Sequence, residues 1–215
     1  MYKINGYDIN SKECLKDIDI REKLGSGEGG SVYLACIKGL CSYVVKVTET
    51  TSDLFNSFED EVALTRNMSD LGVSPKFIES WTCPANINDE SHELGFLVTE
   101  RWDSTLDKYQ HKLSAHLIHK LDRLVKTMHE NGYTHGDLSP YNVIIKVNHA
   151  GIAYDIAIID FGTTFQGDEL PEELDWLIGH NNVIREKYAP EYPKLESFED
   201  LRDFEHNLTS FSDYI

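Results

Sequence analysis

Thr134-His135-Gly136-Asp137-Leu138-Ser139-Pro140-Tyr141-Asn142, followed by two apolar runs and then by Ile159-Asp160-Phe161-Gly162, is the stretch on which the reading of this chain turns. The runs Val143-Ile144-Ile145 and Ile156-Ala157-Ile158-Ile159 are β-branched and read as two short strands. Upstream, residues 113–129 predict a long helix with Leu117, Leu121, Leu124 and Met128 on one stripe, closed by Asn131-Gly132 as a left-handed cap. Downstream, the tail from about residue 170 reads as helical and acidic, with Glu172 to Ile178 as a helix. Asp168, Glu169, Glu172 and Glu173 suit its N-terminus through the macrodipole.

The first hundred residues have another character. Gly25-Ser26-Gly27-Glu28-Gly29-Gly30-Ser31-Val32 fits G-x-G-x-x-G-x-V between two strand patterns. Glycines there let a backbone turn tightly and bring N–H groups against phosphate without a Cβ in the way. The runs 31–37 and 41–47 form the next hairpin around Lys38-Gly39-Leu40, and Lys46 interrupts the second, apolar run. An ammonium there costs desolvation unless it reaches solvent or an anion. Residues 53–68 have helical spacing, with Ser52 and Asp53 at the start. Glu61 lies on the expected inward side, and Glu59 is the alternative if the register differs. Residues 77–81 and 94–98 read as two further strands joined by the polar stretch 84–93, while residues 1–20 read as a lead-in strand or short helix. The expectation is an α+β chain. A five-stranded sheet with one helix precedes a mainly helical part, with a ligand cleft between two lobes.

The glycine loop, the strand lysine, H-x-D-x-x-x-x-N and D-F-G, in this order and spacing, resemble the protein-kinase superfamily over about residues 20–162. The resemblance implies one protein-kinase-like domain over residues 1–215, with an N-lobe to about 99, a hinge at about 100–103 and a C-lobe from about 104. It implies ATP and Mg²⁺. Gly25, Ser26, Gly27, Glu28, Gly29, Gly30 and Val32 would cover the phosphates, and Lys46, steadied by Glu61, would hold them. Asp137 would orient the acceptor hydroxyl and take its proton, and Asn142 and Asp160 would ligate the metal. Adenine would meet the Glu100 carbonyl and the Trp102 N–H, with Thr99 at the gatekeeper position. His135 and Phe161 are expected to be structural. Thr163 and Thr164 are candidate autophosphorylation sites or plain loop residues.

Departures from the pattern narrow the resemblance. Gly136 replaces the arginine that often precedes the catalytic aspartate, and Ser139 replaces a lysine that contacts the γ-phosphate. About fifty residues follow Gly162, fewer than an ordinary C-lobe holds, so its last helices are expected to be absent and a partner protein to supply docking surface. His-Gly-Asp-Leu-Ser-x-Tyr-Asn is similar to the small atypical kinases of the RIO type, to the KEOPS-complex kinase and to minimal viral or bacterial kinases. Ala189-Pro190-Glu191 matches the end of an ordinary activation segment, with a chance match as the competing reading. The function implied is transfer of the γ-phosphate to protein serine or threonine, autophosphorylation included. The alternatives are a small-molecule kinase of the aminoglycoside or choline type, a partner-dependent ATPase and a pseudokinase scaffold.

With 37 acidic against 20 basic residues, the formal charge of −17 argues against nucleic-acid binding over a broad face and leaves basic protein substrates favoured by steering. No apolar run is long enough to span a bilayer, and Met1 to Gly6 lacks the apolar core of a secretory signal. Cys14, Cys36, Cys41 and Cys83 form no CxxC pair, which argues against a zinc site or a disulfide framework, so structural or inert thiols in a reducing, cytoplasmic setting are expected (host cytosol for a viral protein or an effector). His111, His116 and His119 read as a solvated face rather than a metal site.

Overall fold

The computed structural model describes residues 2–4, 6–9, 12–27, 29–50, 56–88, 90–167 and 174–207. Its contacts divide the chain into two units, residues 1–66 with 76–101 and residues 67–75 with 102–215.

The first unit is built on a seven-stranded antiparallel sheet. In chain order the strands are β1 (Tyr2–Ile4), β2 (Tyr7–Ile9), β3 (Ile18–Gly27), β4 (Gly30–Ile37), β5 (Leu40–Glu49), β6 (Phe77–Ile87) and β7 (Glu90–Glu100), arranged β1-β2-β6-β7-β5-β4-β3. The expected five strands are therefore joined by two more. Residues 2–9 fold as a hairpin around Gly6 at φ +87°, and Ile9 pairs with Ala85 at the edge of β6. Strands of three residues are too short for a period-two signal to show in a sequence. The polar stretch 84–93 is also paired rather than looped, turning at Asn88, whose φ is +51°. The inward positions where β6 enters this stretch are small (Cys83, Ala85) and buried, which hides the alternation from a reading that looks for large apolar residues.

One face of the sheet buries Ile4, Ile9, Ile18, Val45, Val47, Leu94, Phe96 and Val98. Trp81 stacks on Phe96 with ring centroids 4.9 Å apart. The structure pairs Cys14 with Cys83 and Cys36 with Cys41 as disulfides. This corrects the expectation of inert thiols and removes the support those cysteines lent to a reducing compartment.

Helix α1 (Phe58–Asp70) follows β5. Its N-terminus is capped by Ser57, whose Oγ accepts the Asp60 N–H at 3.2 Å; Ser52 and Asp53 lie outside the described residues. Phe58 is buried against Gly95, where a Cβ would stand 2.5 Å from the ring, so this close approach requires glycine.

The second unit contains β8 (Ser104–Thr105), α2 (Ala115–Glu130), β9 (Tyr133–Thr134), β10 (Val143–Val147), β11 (Ala153–Ile158), β12 (Phe165–Gln166), α3 (Leu174–Tyr188) and α4 (Phe198–Asn207). Ser114 caps α2, Leu117, Leu121, Leu124, Val125 and Met128 form its buried stripe, and Gly132 at φ +80° ends it. That stripe packs α2 against β11, β9 and α4. The strands form β11-β10-β8 and β12-β9, which hold the loops between them in place. Helix α3 begins at Leu174, so the acidic cluster Asp168, Glu169, Glu172 and Glu173 lies outside the described residues. Among the described residues, no helix is long and apolar enough to cross a membrane.

Candidate active site

The first unit holds the glycine loop and the lysine. Residues 25–32 form the end of the β3–β4 hairpin, with Gly27 paired to Gly30, Ser26 to Ser31 and Gly25 to Val32; Glu28 lies outside the described residues. Thr48 Oγ1 donates to the Gly29 carbonyl at 2.7 Å and ties the turn to β5. Gly30 has φ +120°, and a Cβ there would collide with the Val47 carbonyl oxygen. Gly25 and Gly27 differ, since among the described residues a Cβ on either would meet nothing within 4 Å. Packing among the described residues therefore does not demand glycine at those two positions, and the open space is what a phosphate approaching the backbone needs.

Val45 and Val47 are buried in the core, so the alternation of β5 turns Lys46 to the opposite face. There Lys46 Nζ meets Glu61 Oε1 at 2.6 Å, with Glu61 only 4% exposed. The choice between Glu61 and Glu59 is settled by helix register: α1 starts at Phe58, which puts Glu61 inward and leaves Glu59 exposed.

At the expected hinge, the Glu100 N–H donates to the Lys76 carbonyl and the Arg101 N–H to the Ser42 carbonyl, each at 2.9 Å. Thr99 sits in β7 opposite Val44. The boundary of the two units falls between Arg101 and Trp102. The Trp102 ring lies under Lys146 Nζ at 4.7 Å, and its buried indole N–H has no hydrogen-bond partner among the described residues.

The second unit holds the loop between β9 and β10. Asp137 is gripped at both carboxylate oxygens: Asn142 Nδ2 donates to Oδ2 at 2.9 Å, and His180 Nε2 stands 2.9 Å from Oδ1. Asn142 Nδ2 also donates to the Asp137 carbonyl at 2.8 Å. The Asn142 amide nitrogen is thus committed to Asp137, leaving its Oδ1 as the atom to offer a cation. Asp160 follows β11 with φ +65°, a conformation that side-chain-bearing residues rarely adopt and that clusters at functional turns. A carboxamide oxygen and a carboxylate are the donors a hard cation takes, so these two residues fit Mg²⁺.

Buried polar groups fix the loop's backbone. His135 is fully buried, with Nε2 3.0 Å from the Ile159 carbonyl and its ring against Phe161, the structural role expected of both. Gly136 has φ +80°, and a Cβ would stand 2.5 Å from the Thr163 carbonyl oxygen. The glycine in place of arginine is therefore required by the backbone here. Thr163 and Thr164 both donate to the His135 carbonyl, and Thr164 is buried, so neither hydroxyl stands free as a phosphorylation site in this structure.

Three contributors escaped the sequence reading. Glu205 of α4 is buried and accepts the N–H groups of Gly136 (2.7 Å) and His135 (3.2 Å), while meeting His129 Nε2 at 2.9 Å. Asn181 of α3, also buried, donates to the Gly136 carbonyl at 2.5 Å. His180 is the third. One signal was available: Glu205 follows Leu201 by four residues on the apolar face of α4, where a carboxylate needs a partner. Beside the loop, Lys187 donates to the Tyr141 hydroxyl at 2.8 Å, which lowers that phenol's pKa and raises the lysine's. Burial pushes the neighbouring Tyr188 up to about 12. Ala189-Pro190-Glu191 leaves the end of α3 with Ala189 buried and Glu191 exposed.

The model of the protein kinase domain matches residues 18–192 of the chain. A search of curated proteins finds no match. The match runs through the glycine loop, the Lys46–Glu61 pair and the Asp137 loop and covers most of the sequence: the chain belongs to the protein kinase domain family.

Proposed function

We propose that the protein transfers the γ-phosphate of ATP to a serine or threonine hydroxyl of a protein substrate. The observation that carries this reading is the clamp on Asp137, whose two carboxylate oxygens are held by Asn142 and His180 on a backbone secured by Glu205 and Asn181. Phosphoryl transfer asks a protein for alignment and charge neutralisation more than for covalent chemistry. The glycine loop receives the phosphates on its N–H groups, and Lys46, oriented by Glu61, neutralises them. Asn142 and Asp160 would hold Mg²⁺, which would supply charge neutralisation on the phosphate oxygens. The acceptor oxygen forms its bond to the γ-phosphorus as the bond from that phosphorus to the β–γ bridging oxygen breaks. ADP leaves, and the hydroxyl proton passes to Asp137. The choice of protein serine or threonine is supported by the similarity of the loop sequence to small atypical kinases, and the acidic charge favours basic segments.

The test is intact-mass spectrometry after incubation with Mg-ATP and a basic protein such as histone or myelin basic protein, beside Asp137→Ala and Asp160→Ala. Added phosphate mapped to serine or threonine, with the wild type only, is the expected result. Phosphate released to water without a modified acceptor would make the chain an ATPase instead. ATP binding with neither product would make it a pseudokinase.

A further inference from the structure

We infer that His180 is a positioning residue for phosphoryl transfer, supplying from α3 a second side-chain hydrogen-bond donor to the Asp137 carboxylate; this rests on the kinase reading above. From His135 to Asn142 the loop holds no lysine or arginine, and its one imidazole, His135, is fully buried on the Ile159 carbonyl. The donor comes instead from 43 residues further along the chain, where His180 Nε2 lies 2.9 Å from Asp137 Oδ1.

Chemistry sets the direction of this bond. An ionised carboxylate only accepts, so Nε2 carries the proton. Two surroundings favour the ring in this place. The carboxylate accepts the Nε2 proton, and the Trp176 ring stacks on the imidazole at 5.1 Å with planes 8° apart, which fixes the plane of the ring. Trp176 and His180 are four residues apart and so share one face of α3.

Nor is the contact a chance touch of a surface side chain. The next residue, Asn181, is fully buried and donates both to the Gly136 carbonyl and to the Leu177 carbonyl of its own helix. Consecutive residues of α3 thus hold consecutive residues of the loop, Asn181 the backbone of Gly136 and His180 the carboxylate of Asp137. With Asn142 on Oδ2 and His180 on Oδ1, the carboxylate cannot rotate about χ2 without losing a donor. One lone pair on each oxygen stays available for the acceptor hydroxyl. Trp176 is itself half exposed, so its place on the ring is not explained by core packing.

Steady-state kinetics on wild type, His180→Ala, His180→Gln and Trp176→Ala test this, with ATP and a basic protein as substrates. His180→Ala is expected to lower kcat about 10- to 100-fold, up to the lower end of the roughly 100- to 10,000-fold that a proton-transfer group itself contributes, and to leave KM for ATP within about twofold. Gln, which keeps a side-chain N–H donor, is expected to recover a large part of the loss, and Trp176→Ala to fall between. An unchanged kcat in His180→Ala overturns the inference. So does a loss that Gln does not recover and that comes with a raised KM for ATP, the mark of a merely structural residue.

A second readout needs no activity. In ¹⁵N spectra of the imidazoles, His180 is expected to carry its proton on Nε2 and to shift on Asp137→Ala. A His180 resonance indifferent to that substitution overturns the contact itself. Wild-type protein that shifts as expected but transfers no phosphate would instead sink the kinase reading, and the catalytic part of this inference with it.

Discussion

At the scale of single residues, the site is governed by groups that leave no slack. Lys46 and Glu61 form an ion pair with the carboxylate 4% exposed, so removing one partner breaks a largely buried pair. Glu61→Ala is expected to cost about 3 kcal/mol in chemical denaturation, from the range for broken buried pairs, and to weaken ATP binding measured by calorimetry. Loss of neither would mean the pair opens readily to water. Gly136 makes a second case. Its positive φ and the Thr163 carbonyl 2.5 Å from a would-be Cβ forbid a side chain. Gly136→Ala is therefore expected to destabilise by at least about 2 kcal/mol and to abolish transfer, read by urea unfolding and by phosphate incorporation. A folded, active Gly136→Ala would show that the loop adopts another backbone. Lys46, Asp137, Asn142 and Asp160 were legible in the sequence because each is a charged or amide group at a fixed offset between apolar runs. His180 was not, since its role depends on where α3 lies beside a loop 43 residues earlier in the chain, and no local pattern encodes that.

At the scale of elements, α4 matters more than its sequence advertises. It reads as a short acidic helix, yet Leu201 and Phe204 bury it, and Glu205 then takes the N–H groups of His135 and Gly136. Glu205 lies beyond residue 192, where the family match ends. Glu205→Ala leaves two buried N–H groups and His129 without their acceptor, at a cost of about 3 kcal/mol from unsatisfied donors. Glu205→Gln keeps one oxygen acceptor and is expected to lose less. Hydrogen exchange checks this at the element responsible: protection of the His135 and Gly136 amides should fall in Glu205→Ala, while that of β4 and β5 is kept. Equal loss in both regions would show global unfolding rather than release of the loop. The long helix α2 was legible because its apolar stripe runs over the whole element, and the middles of β4, β5 and β7 because β-branched and aromatic residues run through them. The N-terminal hairpin and the turn from β6 into β7 were not, because three-residue strands and small inward side chains such as Ala85 carry too little pattern.

At the scale of the whole molecule, the sequence reading of the cysteines failed for a physical reason. Spacing along the chain says nothing about which sulfurs the sheet brings together. Cys14 precedes β3 and Cys83 lies in β6, 69 residues apart in sequence, yet their Cα atoms stand 5.8 Å apart. Cys36 and Cys41 flank the β4–β5 turn, five residues apart. If a cross-link acts by restricting the unfolded chain, its effect grows with the loop it closes. That predicts about 4 kcal/mol for the long loop and about 2 kcal/mol for the short one. Both pairs belong to the first unit, so the loss should appear there. Guanidinium unfolding of the oxidised protein, of Cys14→Ser/Cys83→Ser and of Cys36→Ser/Cys41→Ser gives the comparison. The long-range pair is expected to cause the larger drop, and a reducing agent to add nothing further to a variant lacking both pairs. Four reactive thiols in the denatured, unreduced protein would mean that neither bond forms. The stability of the sheet would then rest on its apolar face alone.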